Sequence, residues 1–152
     1  MLRFSKKADY ALMAMKHLAL RGDRGSSSAR EIAALYDIPI ELMAKVLQRL
    51  VRRGLLSSHQ GTRGGYELAR RPTQISVADV IQAIDGPVTV TACSSEENQC
   101  EQFAKCNVRD PLWKVRARIL AALAECTIAE LAAEPTSVPS TTTRPAVFHS
   151  HQ

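Results

Sequence analysis

Three cysteines, Cys93, Cys100 and Cys106, fall in the stretch Ala92 to Asn107, which reads A-C-S-S-E-E-N-Q-C-E-Q-F-A-K-C-N. The stretch is polar and has neither a helical nor a strand-like apolar period, so its conspicuous chemistry is that of thiols on a loop. Their spacing is C-x6-C-x5-C. Structural zinc sites usually pair ligands about two to four residues apart. No such pair occurs here and no histidine lies in or just after the loop, which disfavours zinc. Three thiolates on a water-accessible loop suit an iron–sulfur cluster, 2Fe–2S or 4Fe–4S, because such clusters are built on thiolate ligands. A disulfide plus one free thiol is the competing chemistry. A cluster ordinarily takes four ligands, so one is missing. Cys126 lies at the end of an amphipathic helix and reads as a small core residue. The substitutes are carboxylates: Glu96, Glu97 and Glu101 in the loop, Asp110 just after it, or Asp9 from a partner's first helix. A non-thiolate ligand exchanges more easily, which suits a sensor.

The elements around this loop must position it. Residues 5–20 form a helix that Ser5 can cap, with Ala8, Leu12, Met15 and Ala19 as its apolar stripe and Ala11 and Leu18 widening it. Ser28-Ala-Arg-Glu31 is a capping box opening a second helix, which carries Ile32, Ala33 and Leu35 inward. After Asp37-Ile38-Pro39, a third helix runs from Pro39 to Arg53, burying Ile40, Met43, Val46, Leu47 and Leu50. Glu41, Lys45, Gln48, Arg49 and Arg52 face outward. Two helices across so short a turn fit a helix-turn-helix or a plain helical hairpin. The next segment decides between them. Leu55 to His59 reads as a strand, Gln60 to Gly65 as a tight turn, and Tyr66-Glu67-Leu68 as the return strand. This is a glycine-rich, arginine-bearing wing placed directly after the outward-facing helix.

The chain is therefore expected to be mainly α, a winged helix-turn-helix with a small β-hairpin wing plus a long dimerisation helix. Residues 1–72 form the DNA-binding region and residues 73–133 the cluster loop and dimerisation helices. Residues 134–152, rich in Pro, Ser and Thr, are expected to be disordered. Charge follows the same division. Residues 1–72 hold fourteen Lys/Arg against six Asp/Glu, and residues 73–152 hold six against nine. A basic amino-terminal half is the electrostatic footprint of a nucleic-acid binder. Lys45, Gln48, Arg49 and Arg52 are placed to reach bases or phosphates, Ser28 and Arg30 the DNA backbone, and Arg63, Gly64, Gly65 and Tyr66 DNA at the wing. The expected partners are double-stranded promoter DNA and a second copy of the chain, through a helix that starts at Asp110-Pro111 and carries Leu112, Val115, Ile119, Ala122 and Leu123. No apolar run approaches the roughly 18 residues a membrane span needs, and the chain is expected to be cytoplasmic. No nucleotide-binding glycine motif and no nucleophile–base set argue for an enzyme or a small-molecule substrate.

With wing and cysteines placed, the chain resembles the Rrf2 family of winged-helix iron–sulfur regulators. The matching residues are Met1 to Lys6 with Asp9-Tyr10-Ala11-Leu12, the wing Arg63 to Ala69, Ile75 to Ile81, the three cysteines, and Thr127 to Leu131. Asp85-Gly86-Pro87 and Cys106-Asn107-Val108-Arg109-Asp110 resemble the branch that regulates the SUF system of cluster assembly. The resemblance implies a homodimer that binds promoter DNA and controls genes for iron–sulfur cluster assembly. In IscR-like members a histidine three residues after the third cysteine completes the site. That position is Arg109 here. In other members the fourth ligand is an acidic residue near the amino terminus of the other subunit, and Asp9 occupies the matching place. The alternative within the same class is a DNA-binding regulator switched by its thiols without metal.

Overall fold

The computed structural model describes residues 3–62, 64–89 and 100–135. Among these, the elements run α1 (Lys6–Arg21), α2 (Ala29–Leu35), α3 (Ile40–Arg52), β1 (Leu56–His59), β2 (Gly65–Leu68), α4 (Val77–Asp85), α5 (Arg109–Glu125) and α6 (Ile128–Ala133). The expected order of helices and hairpin is present, with ends displaced by a residue. The carboxy-terminal residues 136–152, expected to be disordered, lie outside the described residues.

The local signals act as their chemistry dictates. The Ser5 hydroxyl accepts the Ala8 amide at 3.1 Å and caps α1. Ser28 and Glu31 form a reciprocal capping box on α2, and Ser76 and Asp79 form one on α4. Asp37 turns the chain between α2 and α3 with φ 53°, a left-handed conformation that a short polar side chain tolerates. On α6 the cap is one-sided. Thr127 accepts the Glu130 amide at 3.2 Å.

α1 is the central element, packed against α3, α4, α6 and β2. That surround explains why its buried face is broader than one stripe. Ala8, Ala11, Ala14, Met15 and Leu18 are all buried, and three alanines let neighbouring helices approach closely. The core continues through Ile32, Met43, Leu47, Leu50, Ile75, Val80 and Ile128, so residues from both halves of the chain share it. Two expected core residues are not in it. Leu35 is 62% exposed and Ile40 42% exposed. Ile38, in the turn between them, takes the inward place and is buried.

The hairpin pairs antiparallel, with Leu56 opposite Leu68 and His59 opposite Gly65. A third stretch joins it. Ser27 and Tyr66 exchange two backbone hydrogen bonds, at 3.0 and 2.8 Å, which tie the wing to the start of α2. Gly65 makes this contact possible. Its φ is +155°, and a Cβ there would lie 2.7 Å from the Ser27 carbonyl.

α5 stands apart from the core. It spans seventeen residues with none buried and packs mainly on α4. A small cluster of Val77, Ile81 and Val88 lies beneath it and meets Leu120, Leu123 and Cys126.

Candidate nucleic-acid interface and cysteine site

α3 presents Lys45, Gln48, Arg49 and Arg52 on its exposed side, because Met43, Val46, Leu47 and Leu50 take the buried side. Beside this face is a cleft of about 420 Å³ lined by Lys7, Lys45, Gln48, Arg49 and Arg52, with Ile84 among its walls. Lys7, on the first turn of α1, is a cation the sequence reading did not assign to DNA. Its charge was visible, but only the packing of α1 against α3 brings it to this cleft. Arg49 is partly committed within the protein, since its Nε donates to the Ala83 carbonyl at 3.1 Å. The reading helix is thereby tied to α4.

Gln48 is tied to the wing, its Nε2 donating to the Tyr66 hydroxyl at 2.7 Å. Gly64 donates to the Gly61 carbonyl at 2.9 Å and closes the tip turn. A Cβ on Gly64 would meet the His59 carbonyl oxygen at 2.6 Å. The two wing glycines thus have a packing reason for their identity. Ser28 spends its hydroxyl on the α2 cap. Arg30 is exposed on α2, and Arg63 lies outside the described residues.

Behind this surface, His17 of α1 bridges two hydroxyls. Its Nδ1 is 3.0 Å from the Tyr36 hydroxyl and its Nε2 is 3.2 Å from the hydroxyl of fully buried Ser27. Burial, and next the Arg21 cation, push the His17 pKa down, with Glu31 opposing. Burial pushes the Tyr36 phenol up. This network joins α1, the end of α2 and the backbone that pairs with the wing.

Cys100 and Cys106 flank a short 3-10 turn, Phe103–Lys105. Both are free and half-buried. Cys93 lies outside the described residues, as do Glu96 and Glu97. Glu101 is exposed, and Asp110 accepts a hydrogen bond from Arg109 at 3.0 Å. Asp9 is exposed on the first turn of α1. Among the described residues, no three His, Cys, Asp or Glu side chains come together as a metal-holding group. Two unpaired, accessible thiols are nonetheless the donor chemistry that iron–sulfur clusters use. Cys126 is different, packed against Val77 and Ile81. Burial, followed by Glu130, pushes its pKa up, away from the thiolate that metal binding requires.

A winged helix whose third helix presents a cationic face beside the wing is the architecture of a DNA-binding transcription regulator. The family profile Rrf2, described as iron-dependent transcriptional regulator, matches residues 4–134, and the chain belongs to this family. A protein of Mycobacterium tuberculosis named as an HTH-type transcriptional regulator is 42% identical over 87 residues, which are 57% of this chain and 54% of that protein. The chain thus spans about half the length of that relative. IscR of Xenorhabdus nematophila is 33% identical over 131 residues, 86% of this chain and 79% of IscR. Among solved structures, CymR, the global cysteine regulator of B. subtilis, superposes with a TM-score of 0.71 at 27% identity, covering 87% of this chain and 97% of CymR. IscR of T. potens superposes with a TM-score of 0.66 at 28% identity, covering 86% and 85%. These relatives are transcription regulators, not enzymes. Among the described residues, no helix is long and apolar enough to cross a membrane.

Proposed function

We propose that the chain is a homodimeric promoter-binding regulator in which Cys93, Cys100 and Cys106 hold an iron–sulfur cluster, with Asp9 of the partner as fourth ligand. Its output is control of genes for iron–sulfur cluster assembly, in the cytoplasm. The observation that carries this reading is the pair of free, half-buried thiols on the turn that leads directly into helix α5. The family description as iron-dependent and the likeness to IscR support it.

In this reading α3 enters the major groove. Lys45 and Arg52 take phosphates or bases, Gln48 is presented by Tyr66, and Lys7 meets the backbone from α1. Arg30, Ser28 and the wing around Arg63, Gly64 and Gly65 face the flanking DNA. A bound cluster would supply iron-centred ligand exchange and electron transfer at the loop. The protein's part is to translate the state of the loop into the posture of α3. Arg49 on the Ala83 carbonyl and Ser5 on Asp85 both hang from the last turn of α4, directly before the segment that leads to the cysteines.

Anaerobic purification followed by iron and acid-labile sulfide assay and a visible spectrum tests the reading. Iron and sulfide in stoichiometric amounts are expected. A protein that stays colourless after reconstitution, yet binds DNA and shows a disulfide by mass spectrometry, would instead be the metal-free thiol switch. The likeness to CymR is the observation that supports that second reading.

A further inference from the structure

The turn that carries Cys100 and Cys106 is joined to α5 largely through one side chain. Arg109, the first residue of α5, donates from Nη1 to the Phe103 carbonyl at 3.2 Å. Phe103 lies between the two cysteines, and its amide donates to the Cys100 carbonyl at 3.1 Å. The Arg109 guanidinium carbon is 4.7 Å from the centre of the Phe103 ring and 6.0 Å from that of Trp113. The two rings also meet each other, with centroids 6.4 Å apart. Nε completes the set by donating to the Asp110 carboxylate at 3.0 Å. A cation at a helix amino terminus sits at the unfavourable end of the helix dipole. These contacts, with Asp110 as counter-charge, offset that placement.

We propose that Arg109 is the positioning residue of the cysteine site, a clamp that fixes the Cys100–Cys106 turn on the first turn of α5. Arg109 is not a ligand, because a guanidinium in proteins has no lone pair to offer. It acts by holding two thiols in a set place relative to the long helix. Its planar fork stacks on rings while donating in two directions, which a lysine ammonium does not do. Only the consequence for cluster retention rests on the proposed function. The clamp itself is a property of the protein without any cluster.

The chain has a single tryptophan, Trp113, so its emission reports on the clamp. The test compares full-length wild type with Arg109→Lys, Arg109→Ala and Phe103→Leu, each checked for helix content by circular dichroism. In cluster-free protein, both Arg109 variants are expected to raise acrylamide quenching of Trp113. They are also expected to speed amide exchange over residues 100–108 several-fold. Phe103→Leu should reproduce the exchange change, and the double variant should add little to it. In reconstituted protein, iron loss to a chelator should quicken roughly tenfold or more, as for other residues that orient metal ligands. Unchanged quenching and exchange in both Arg109 variants would overturn the clamp. A lysine variant indistinguishable from wild type would overturn it too, since charge alone would then suffice. If wild type takes up no iron, the cluster reading falls, while quenching and exchange still decide the role of Arg109.

Discussion

Gln48 and Tyr66 come from different elements and meet by one hydrogen bond of 2.7 Å where α3 adjoins the wing. The tether leaves the Gln48 amide oxygen and its second amide hydrogen free for a base edge, the pairing a glutamine can make with adenine. Removing it with Tyr66→Phe is expected to weaken specific DNA binding about three- to tenfold, the worth of one modest hydrogen bond, and leave folding stability within about 0.5 kcal/mol. Competitive fluorescence anisotropy and a urea melt measure the two effects. Lys7 makes a different demand. As a phosphate contact it carries no sequence information, so Lys7→Ala should weaken specific and non-specific binding alike. The slope of log affinity against log salt should fall by about one. An unchanged slope would remove Lys7 from the interface. His17 is placed to make stability depend on pH. Its folded-state pKa is lowered, so between that value and its ordinary value near 6.5 the unfolded chain binds more protons than the folded one. Stability should therefore be level above pH 7 and decline as the pH falls through 6.5. His17→Phe should flatten this limb in urea melts at stepped pH, while lowering stability by about 1–3 kcal/mol because buried Ser27 loses its ring partner.

The wing is where one atom decides an element. Gly65→Ala would put a methyl group 2.7 Å from the Ser27 backbone, at a φ of +155° that side-chain-bearing residues avoid. The conformation alone costs about 1–3 kcal/mol. The variant is expected to lose the Ser27–Tyr66 pairing, and with it the Gln48 tether, so that DNA affinity and melting temperature fall together. A fully stable variant with unchanged binding would show that the wing does not need this pairing. The elements themselves were largely legible in the sequence, because capping chemistry and apolar period are local. Ser28 with Glu31 and the period of α3 marked a helix-turn-helix, and the glycine-rich turn after them marked the wing. Leu35 and Ile40 were misread because periodicity alone does not say that Ile38, between two helices, would fill the space. Arg109 was legible only as a departure from a ligand position, since its value lies in two rings four and six residues away.

At the scale of the molecule, α5 sets the requirement. A helix bearing Trp113 at 45% and Val115 at 44% exposure, with no buried residue over its length, is poorly covered by the rest of the described chain. A second copy is the natural cover, and two reading heads at a fixed spacing would engage two half-sites together. Val115→Glu is accordingly expected to give a folded monomer by light scattering, with operator affinity reduced at least roughly tenfold through loss of paired binding. A variant that remains dimeric would place the interface elsewhere. The uneven charge fits this arrangement, since the basic half carries the helix-turn-helix and wing while the acidic half carries the cysteines and α5. Coupling between the two would run through the end of α4, where Arg49 and Ser5 are held. Coupling of this kind commonly amounts to about 1–3 kcal/mol, or five- to 150-fold in affinity.

The central claim is that thiol-held iron controls DNA binding. Its most direct test is the affinity of the full-length wild-type protein, reconstituted and then stripped of iron, for one duplex selected by the reconstituted protein from a random pool. Measurements at fixed salt, without oxygen and with Cys100→Ser alongside, complete the comparison. At least a fivefold difference between the two wild-type forms is expected, and no difference for Cys100→Ser. Equal affinity of the two wild-type forms would contradict the claim.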